Sequence, residues 1–188
     1  MLTIASRTNP LIRTYRDLAA EPDREGARLL LDGFHLVSEA REAGLSFESV
    51  LVDGAHLEAA TPVGQLAHAL DARGVRVATV SASVFRAASP VTSPTGIVAI
   101  VTRTPVTPSS VSSPGPGLLL LLVDVQDPGN LGTLLRVAEA VGVSGVLVCG
   151  ESANPFAWKA VRASMGSILR LPVARLSSPD EAVALARG

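Results

Sequence analysis

The sequence DVQDPGNLGTLLRVAEA (residues 124–140) directly follows the apolar run LLLLLV (residues 118–123), and the two together indicate the fold class. A short, continuous apolar run of this kind is typical of a β-strand that is buried on both faces. After it, leucines recur at helical spacing between Leu131 and Leu135, which predicts an amphipathic helix that ends near Gly142. A strand, a turn and a helix in this order form the repeating unit of an α/β sheet.

The same alternation continues towards the end of the chain. Residues 145–149 (GVLVC) predict a second buried strand, Asn154 and the proline after it predict the start of a helix, and residues 168–173 predict a third strand. Ser178 and Glu181 have the spacing of a capping box and predict a last helix. Strands that alternate with helices favour a parallel sheet, so we predict the α/β fold class.

Residues 104–117 (TPVTPSSVSSPGPG) divide the sequence, because they consist almost entirely of proline, serine, threonine and glycine and carry no charge. We expect such a segment to form neither a helix nor a paired strand, which predicts an interdomain linker. Ahead of it, the predicted helices cover residues 10–18, 34–43, 62–72 and 81–88, and the predicted strands cover residues 28–31, 49–52, 75–80 and 96–101. The prediction is therefore a small α/β domain at residues 1–103, the linker, and a second α/β domain at residues 118–188.

The charge is balanced overall but unevenly distributed along the chain. The formal net charge of -1 argues against a uniformly basic nucleic-acid binder. Residues 1–16 and residues 152–176, however, contain basic side chains and no acidic ones. Two such segments fit a polyanionic partner bound on one face, although each segment alone is equally typical of a solvated helix face.

Several classes of protein are disfavoured by the composition. With 47% hydrophobic residues the chain has ample material for a core, and Cys149 is its single cysteine, so an intrachain disulfide is impossible. The three histidines (His35, His56 and His68) show no ligand spacing, and we predict no metal site. The apolar run before residue 124 is too short for a membrane span, and the N-terminus lacks a signal-peptide pattern. We therefore expect a cytoplasmic protein without a membrane partner.

The turn after the first of these buried strands contains residues suited to ligand binding. Open α/β sheets bind ligands at the carboxyl ends of their strands, where Pro128 and Gly129 shape this turn and Gly132 permits a close approach. Free amides and the helix dipole there favour an anion, and the planar fork of Arg136 suits a phosphate. The sequence is equally compatible with a plain turn in which Asn130 caps the helix and Arg136 is a surface residue.

A second group of small residues lies in WKAVRASMGSILRLPV (residues 158–173). Ser164 and Gly166 come at the end of the predicted helix, just ahead of the predicted third strand. Small residues at such a point let a ligand or another segment come close. Taken alone, this pair is more typical of a simple helix end.

Both stretches carry a resemblance to a known family. DPGNLGTLLRVAEAVGV resembles the first motif, and NPFAWKAVRASMGSILRLPV the second motif, of the SpoU (TrmH-like) RNA 2′-O-ribose methyltransferases, which belong to the knotted SPOUT class. In the first half, SRTNPLIRTYRDL, LLLDGFHLVSEA and VFRAASPVTSPTGIVAIV resemble the accessory substrate-binding domain of that family. The resemblance therefore runs over nearly the whole chain.

The resemblance implies a reaction and a set of site residues. It implies transfer of a methyl group from S-adenosylmethionine to a ribose 2′-OH, and the accessory domain points to ribosomal RNA as the substrate. Asn130 and Arg136 match the catalytic motif, and Ser164 and Gly166 match positions near the cofactor. The candidate RNA-binding residues in the basic segments are Arg7, Arg13, Arg16, Lys159 and Arg162. The resemblance also implies a homodimer formed through the C-terminal domain.

The chemistry of arginine restricts the role of Arg136. A guanidinium group has a pKa above about 12, so it is a poor general base at neutral pH. We therefore interpret Arg136 as a phosphate clamp and electrostatic stabiliser that orients the 2′-OH.

The sequence departs from the family at its third motif, a GxExxGLS-like segment that is absent from residues 1–188. That segment normally completes the trefoil knot and supplies much of the cofactor pocket. The resemblance therefore implies a C-terminally truncated, incomplete SPOUT domain, with weak or no cofactor binding by these residues. The alternatives are a catalytically inactive RNA-binding paralogue or fragment, and a nucleotide-binding α/β protein without an RNA partner.

Overall fold

Two β-sheets organise the chain in the computed structural model, which describes residues 1–58, 60–111 and 117–187, with side chains as far as residue 185. The chain divides into two compact units. The first contains Met1–Pro22 and Arg28–Arg103, and the second contains Asp23–Ala27 and the described residues from Thr104 onwards.

The first unit is a mixed sheet with helices packed against it. Its strands are β1 (Leu2–Ile4), β2 (Arg28–Asp32), β3 (Ser46–Asp53), β4 (Val77–Val80) and β5 (Ile97–Thr102), and its helices are α1 (Pro10–Ala20), α2 (Phe34–Glu42), α3 (Pro62–Ala72) and α4 (Ala82–Ala88). The five strands lie in the order β1-β4-β3-β5-β2, with β5 antiparallel to both of its neighbours. The short β1 and a 3₁₀ turn at Gly54–His56 were not predicted. The other elements were predicted close to their observed positions.

The core of the first unit lies between the apolar faces of its helices and the apolar side chains of its strands. In β5, residues 97–101 are all fully buried, as expected for a central strand covered on both faces. In α1, the Asn9 side chain accepts a hydrogen bond from the Leu11 amide, and Pro10 occupies the first helical position. The buried face of α1 includes Tyr15, whose hydroxyl donates to the Ser49 carbonyl at 2.9 Å. This bond ties the helix to β3.

The described part of the second unit is a three-stranded parallel sheet with five helices. Its strands are β6 (Leu119–Val123), β7 (Gly145–Cys149) and β8 (Val173–Arg175), and its helices are α5 (Pro108–Val111), α6 (Pro128–Ala140), α7 (Trp158–Ala163), α8 (Ser167–Arg170) and α9 (Pro179–Arg187). The strands lie in the order β6-β7-β8. On one face, Leu147 and Cys149 of β7 share an apolar cluster with Ala182 of α9. Because side chains alternate along a strand, the buried Val146 and Val148 face the opposite side, so β7 is covered on both faces.

Two strand predictions in this unit are wrong in part. The predicted third strand at residues 168–173 is instead the short helix α8, and the strand begins only at Val173. Gly166, with a φ of 94°, ends one helix and allows the next helix, α8, to begin. Pro172 has no N–H to donate to a neighbouring strand, so it cannot form a regular strand hydrogen bond. β6 was predicted to be buried on both faces, but it lies at the edge of the described sheet, and Val123 is 39% exposed.

The predicted linker at residues 104–117 was expected to contain no helix, and that expectation is wrong. Pro108–Val111 forms one helical turn. The Thr107 hydroxyl accepts a hydrogen bond from the Ser110 amide at 3.3 Å, and proline follows as the first helical residue, so a Thr-Pro pair supplies both the cap and the start. Val111 is buried in the apolar cluster of the second unit. Residues 112–116 of the predicted linker lie outside the described residues.

Neither a membrane span nor a metal-binding cluster is found in the described part of the chain. None of its helices combines the length and the apolar character needed to cross a bilayer. Its histidine, cysteine, aspartate and glutamate side chains form no group of three or more that could hold a metal ion.

Candidate active site

The loops that follow β6 and β7 lie at the same end of the second sheet and are joined by hydrogen bonds. Asp124 Oδ1 accepts from the Glu151 amide at 2.8 Å. The Val125 amide donates to Ser152 Oγ at 3.0 Å, and the Val125 carbonyl accepts from the Ala153 amide at 2.9 Å. The loop that leads into α6 is therefore fixed by the loop that leads to α7.

Asp124 adopts a backbone conformation that is unusual for a residue with a side chain. Its φ is 56°, in the left-handed region, which aspartate tolerates better than most residues because its carboxylate can bond locally. Gly150 leaves the space for that carboxylate, since a Cβ at Gly150 would collide with Asp124 Oδ1. The turn after β6 thus depends on this pair.

The start of α6 is capped by Asp127, not by Asn130. The Asp127 carboxylate accepts a hydrogen bond from the Asn130 amide at 2.7 Å, and its carbonyl accepts from the Leu131 amide at 3.0 Å. Pro128 has no N–H, so in the first turn of α6 it is the Gly129 amide that has no hydrogen-bond partner among the described residues. The predicted anion position at this helix start is therefore already occupied by a carboxylate of the chain itself.

Gly132 brings the two predicted motifs into contact. A Cβ at this position would lie 2.6 Å from Ala163 Cβ and 2.9 Å from the Ser164 nitrogen. Only a residue without a side chain lets α6 pack so closely on the end of α7. The close approach predicted for Gly132 is confirmed, and the approaching segment is the second motif.

Ser164 and Gly166 form the turn between α7 and α8. Ser164 is fully buried, and its hydroxyl donates to the Val161 carbonyl at 2.7 Å. Met165 and Gly166 both have positive φ, at 52° and 94°. The Ser164 hydroxyl is therefore used within the turn, and the chain changes direction at the next two residues, Met165 and Gly166.

Asn130 and Arg136 are both exposed on α6, but they point in different directions. Six residues of α-helix correspond to a rotation of about 240° and a rise of about 9 Å, so the two side chains diverge by about 120°. Arg136 lies one turn after Gly132 and thus on the side of α7. Asn130 lies on the opposite side of the helix. Among the described residues, the Arg136 guanidinium has no hydrogen-bond or ion-pair partner.

A cavity of about 550 Å³ lies between the start of α6 and α7. Pro128 and Gly129 border it on one side, and Trp158, Lys159 and Arg162 border it on the other. The Lys159 ammonium lies 5.5 Å from the centre of the Trp158 ring, within the range of a cation–π contact. The structure thus brings two of the predicted RNA-binding residues to the start of the first motif.

The other predicted RNA-binding residues belong to the first unit. Arg7 precedes α1, and Arg13 and Arg16 lie on α1, where all three are exposed. Arg13 and Arg16 are three residues apart, so they lie on one face of the helix.

Sequence reasoning missed three residues that shape this site. Asp127 stands before a proline at the first helical position, a pattern that signals a cap. Trp158 is the only tryptophan in the chain and borders the cavity. Ser152, which is buried and bonds Val125, lies in a loop whose pairing no local pattern reveals.

Comparison with known proteins identifies the family. A model of the SpoU rRNA Methylase family matches residues 117–188, and a model of the MRM3-like substrate binding domain matches residues 9–99. An uncharacterised tRNA/rRNA methyltransferase of Synechocystis is 36% identical over 94% of this chain. The 23S rRNA (guanosine(2553)-2′-O)-methyltransferase RlmP of Bacillus subtilis is 28% identical over 96% of this chain. The chain spans 63% and 67% of the lengths of these two relatives.

Solved structures agree with this assignment. The crystal structure of an rRNA methyltransferase from Sinorhizobium meliloti is 30% identical, with a TM-score of 0.79, and the match covers 99% of this chain and 69% of that one. A structure described as an AdoMet-bound rRNA methyltransferase from Sinorhizobium meliloti is 29% identical and gives a TM-score of 0.80. The resemblance seen in the two sequence motifs is therefore confirmed, and the chain belongs to the SpoU rRNA methylase family.

Proposed function

We propose that the protein transfers a methyl group from S-adenosylmethionine to a ribose 2′-OH of ribosomal RNA. The observation that carries the proposal is the packing of Gly132 against Ala163 and Ser164, which sets the first motif beside the second. The AdoMet-bound structure of the S. meliloti relative and the rRNA 2′-O-methyltransferase activity named for the B. subtilis relative support it.

In this proposal Arg136 binds and orients the RNA. Its guanidinium is exposed, has no partner among the described residues, and lies on the same side of α6 as α7. A planar fork binds a phosphate through two parallel hydrogen bonds, which would hold the neighbouring ribose in a fixed orientation. Lys159 and Arg162 place two more cations at the start of the same helix. Asn130, whose amide both donates and accepts, remains the second proposed catalytic residue.

In this proposal the cofactor would be held through backbone groups. The Ser164 hydroxyl is committed to Val161, so a contact with S-adenosylmethionine would come from the backbone around Met165 and Gly166, where the chain turns sharply. When bound there, the cofactor supplies an electrophilic methyl group on a sulfonium. The contribution of the chain is to position this turn, through the packing of Gly132 on α7 and the hydrogen bond of the buried Ser164.

Three further parts of the proposal concern partners and location. We assign the first unit, with Arg7, Arg13 and Arg16, to binding of the RNA substrate, in line with its match to a substrate binding domain. We place the protein in the cytoplasm. We also propose a homodimer formed through the second unit, supported by the exposed apolar side chains of Leu134 and Val137 on α6 and of Val141 directly after it. A molar mass from light scattering tests the dimer.

The enzyme proposal is tested with labelled S-adenosylmethionine and unmodified ribosomal RNA. We expect label in the RNA, resistance of one phosphodiester bond to alkali because its 2′-OH is blocked, and loss of label in Asn130→Ala and Arg136→Ala. Arg136→Lys keeps the charge but loses the fork, so it should also be impaired. Arg73→Ala, which removes an exposed arginine of the first unit, is the matched control and should keep activity.

The possible outcomes separate the competing functions. Undiminished labelling by Arg136→Ala would refute the assigned role of that residue. Retention of RNA without any labelling by the wild type would support an RNA-binding protein without catalysis. Binding that is insensitive to salt and to competing RNA would point to a small nucleotide as the ligand, because contacts with a phosphate backbone depend strongly on salt.

A further inference from the structure

The cavity beside the start of α6 has a composition that the transfer of a methyl group does not by itself require. Trp158 and Lys159 are the only tryptophan and the only lysine of the chain, and both border this cavity. The exposed Arg162, one turn further along α7, borders it as well. An aromatic ring and two cations thus share one wall of a cavity of about 550 Å³.

The opposite wall is mostly apolar. Pro128 and Gly129 contribute surface without a charge, and the exposed Met165, in the turn after α7, adds apolar surface to the cavity. The one acidic residue at the cavity is Asp127, whose carboxylate already accepts the Asn130 amide. The cavity therefore offers apolar and aromatic surface next to a net positive charge.

We infer that this cavity binds one nucleotide of single-stranded RNA, with its base against Trp158 and its phosphate near Lys159 and Arg162. The inference rests on the proposed function in so far as RNA is the substrate. A nucleotide combines a flat aromatic group with a negative group, and the cavity volume lies within the usual range of ligand pockets, about 300–1,000 Å³. S-adenosylmethionine fits this wall less well, because its sulfonium would face two cations.

The position of Lys159 is consistent with this ligand. Its ammonium now lies against the Trp158 ring, and its flexible stem lets it turn to a phosphate when a base takes its place on the ring. Because every base has an aromatic face, stacking on Trp158 would tolerate any base. The cavity therefore positions the strand rather than reading its sequence.

The single lysine permits a direct test on the wild-type protein. An amine-reactive ester acylates Lys159 and the α-amino group of Met1, and mass spectrometry separates the two products. We expect single-stranded oligouridylate and oligoadenylate to slow the acylation of Lys159 but not that of Met1, and to quench the fluorescence of Trp158. Equal reactivity of Lys159 with and without either oligonucleotide would overturn the inference.

Variants test the contribution of the ring and of the cations. Trp158→Ala should bind the oligonucleotides about 5- to 150-fold more weakly, the range measured for loss of one stacked base, and Trp158→Phe should retain most of the affinity. Phe34→Ala, which removes an exposed aromatic ring in the first unit, is the matched control. Lys159→Gln should reduce the slope of log affinity against log salt by about 0.7. Unchanged affinity in a folded Trp158→Ala protein, or an unchanged slope in Lys159→Gln, would overturn the inference.

The same measurements separate this inference from the proposed function. Protection of Lys159 by S-adenosylmethionine alone, and not by RNA, would overturn the nucleotide assignment even if the protein methylates RNA. If RNA protects Lys159 from acylation in a protein that transfers no methyl group, the enzyme proposal is refuted and the nucleotide site is supported. Protection by uridine 5′-monophosphate but not by uridine would support the contact of the cations with phosphate.

Discussion

Replacement of Gly132 by alanine tests whether the contact between the two motifs depends on a missing side chain. The new Cβ would collide with the Ala160 carbonyl oxygen, and it would lie 2.6 Å from Ala163 Cβ and 2.9 Å from the Ser164 nitrogen. Carbon atoms pack at about 3.5 Å or more, so α6 and α7 would have to separate by about 1 Å. The obstructing atoms belong to the backbone and to an alanine, and no side-chain rotation can move them away.

The expected cost of Gly132→Ala follows from two opposing effects. Overpacking of this kind costs about 1–3 kcal/mol, and the rigid partners place it near the upper end. Alanine is favoured over glycine inside a helix by about 1 kcal/mol, which offsets part of the cost. We therefore expect a net loss of about 2 kcal/mol from the free energy of unfolding of the second unit.

The assay is urea unfolding followed by the fluorescence of Trp158, which is the single tryptophan and lies in the second unit. With a slope of about 2 kcal/mol per molar urea, the midpoint of Gly132→Ala should fall by about 1 M. Gly129→Ala is the matched control on the same helix, because its Cβ would meet only the side-chain atom Asp127 Oδ1, at 3.1 Å, which can move slightly, so its midpoint should fall much less than that of Gly132→Ala. An equal or higher midpoint for Gly132→Ala would refute the argument.

Two further substitutions have defined outcomes. Tyr15→Phe should cost about 1–3 kcal/mol, because it removes the hydroxyl bonded to the buried Ser49. Burial raises the pKa of the Tyr15 hydroxyl above its ordinary value, so the folded protein favours the neutral phenol. The stabilisation contributed by Tyr15 is therefore complete below about pH 10 and is lost as the pH rises further. Unfolding followed from pH 8 to 11 should show this loss in the wild type and a smaller one in Tyr15→Phe; parallel pH profiles would contradict it. Asp127→Ala should lower the free energy of unfolding of the second unit by about 0.5–2 kcal/mol, because the α6 cap is lost. Asp127→Asn can still cap the helix, so in thermal unfolding it should stay near the wild type. Equal losses in both variants would show that the charge of Asp127, and not its capping bond, stabilises the helix.

Local sequence signals predicted most of the first unit because residues at the ends of its helices and strands mark where these elements begin and end. Asn9 followed by proline marks the start of α1, and Thr61 followed by proline marks the start of α3. Continuous apolar runs such as β5 cannot be accommodated outside a core. β1 is only three residues long, and its pairing with β4 depends on a distant segment that no local pattern reveals.

The candidate site was predictable in its residues but not in their arrangement. The motif positions were identified by resemblance, and the close approach at Gly132 followed from the lack of a side chain. Ser164 has a small hydroxyl that suits both a ligand and a helix end, and only tertiary contacts show it bonded to Val161. The cavity at Trp158 joins segments about 30 residues apart in sequence, so its walls could not be inferred from spacing.

The geometry of α6 assigns its two motif residues to different surroundings. Arg136 lies on the side of the helix that faces α7, whereas Asn130 shares the opposite side with the exposed Leu134, Val137 and Val141. In the proposed homodimer, this apolar side is the one that a second copy would cover, which would place Asn130 at the interface. Arg136 would meanwhile stay on the side of α6 that faces α7. One helix would then contribute an RNA clamp on one side and a subunit contact on the other.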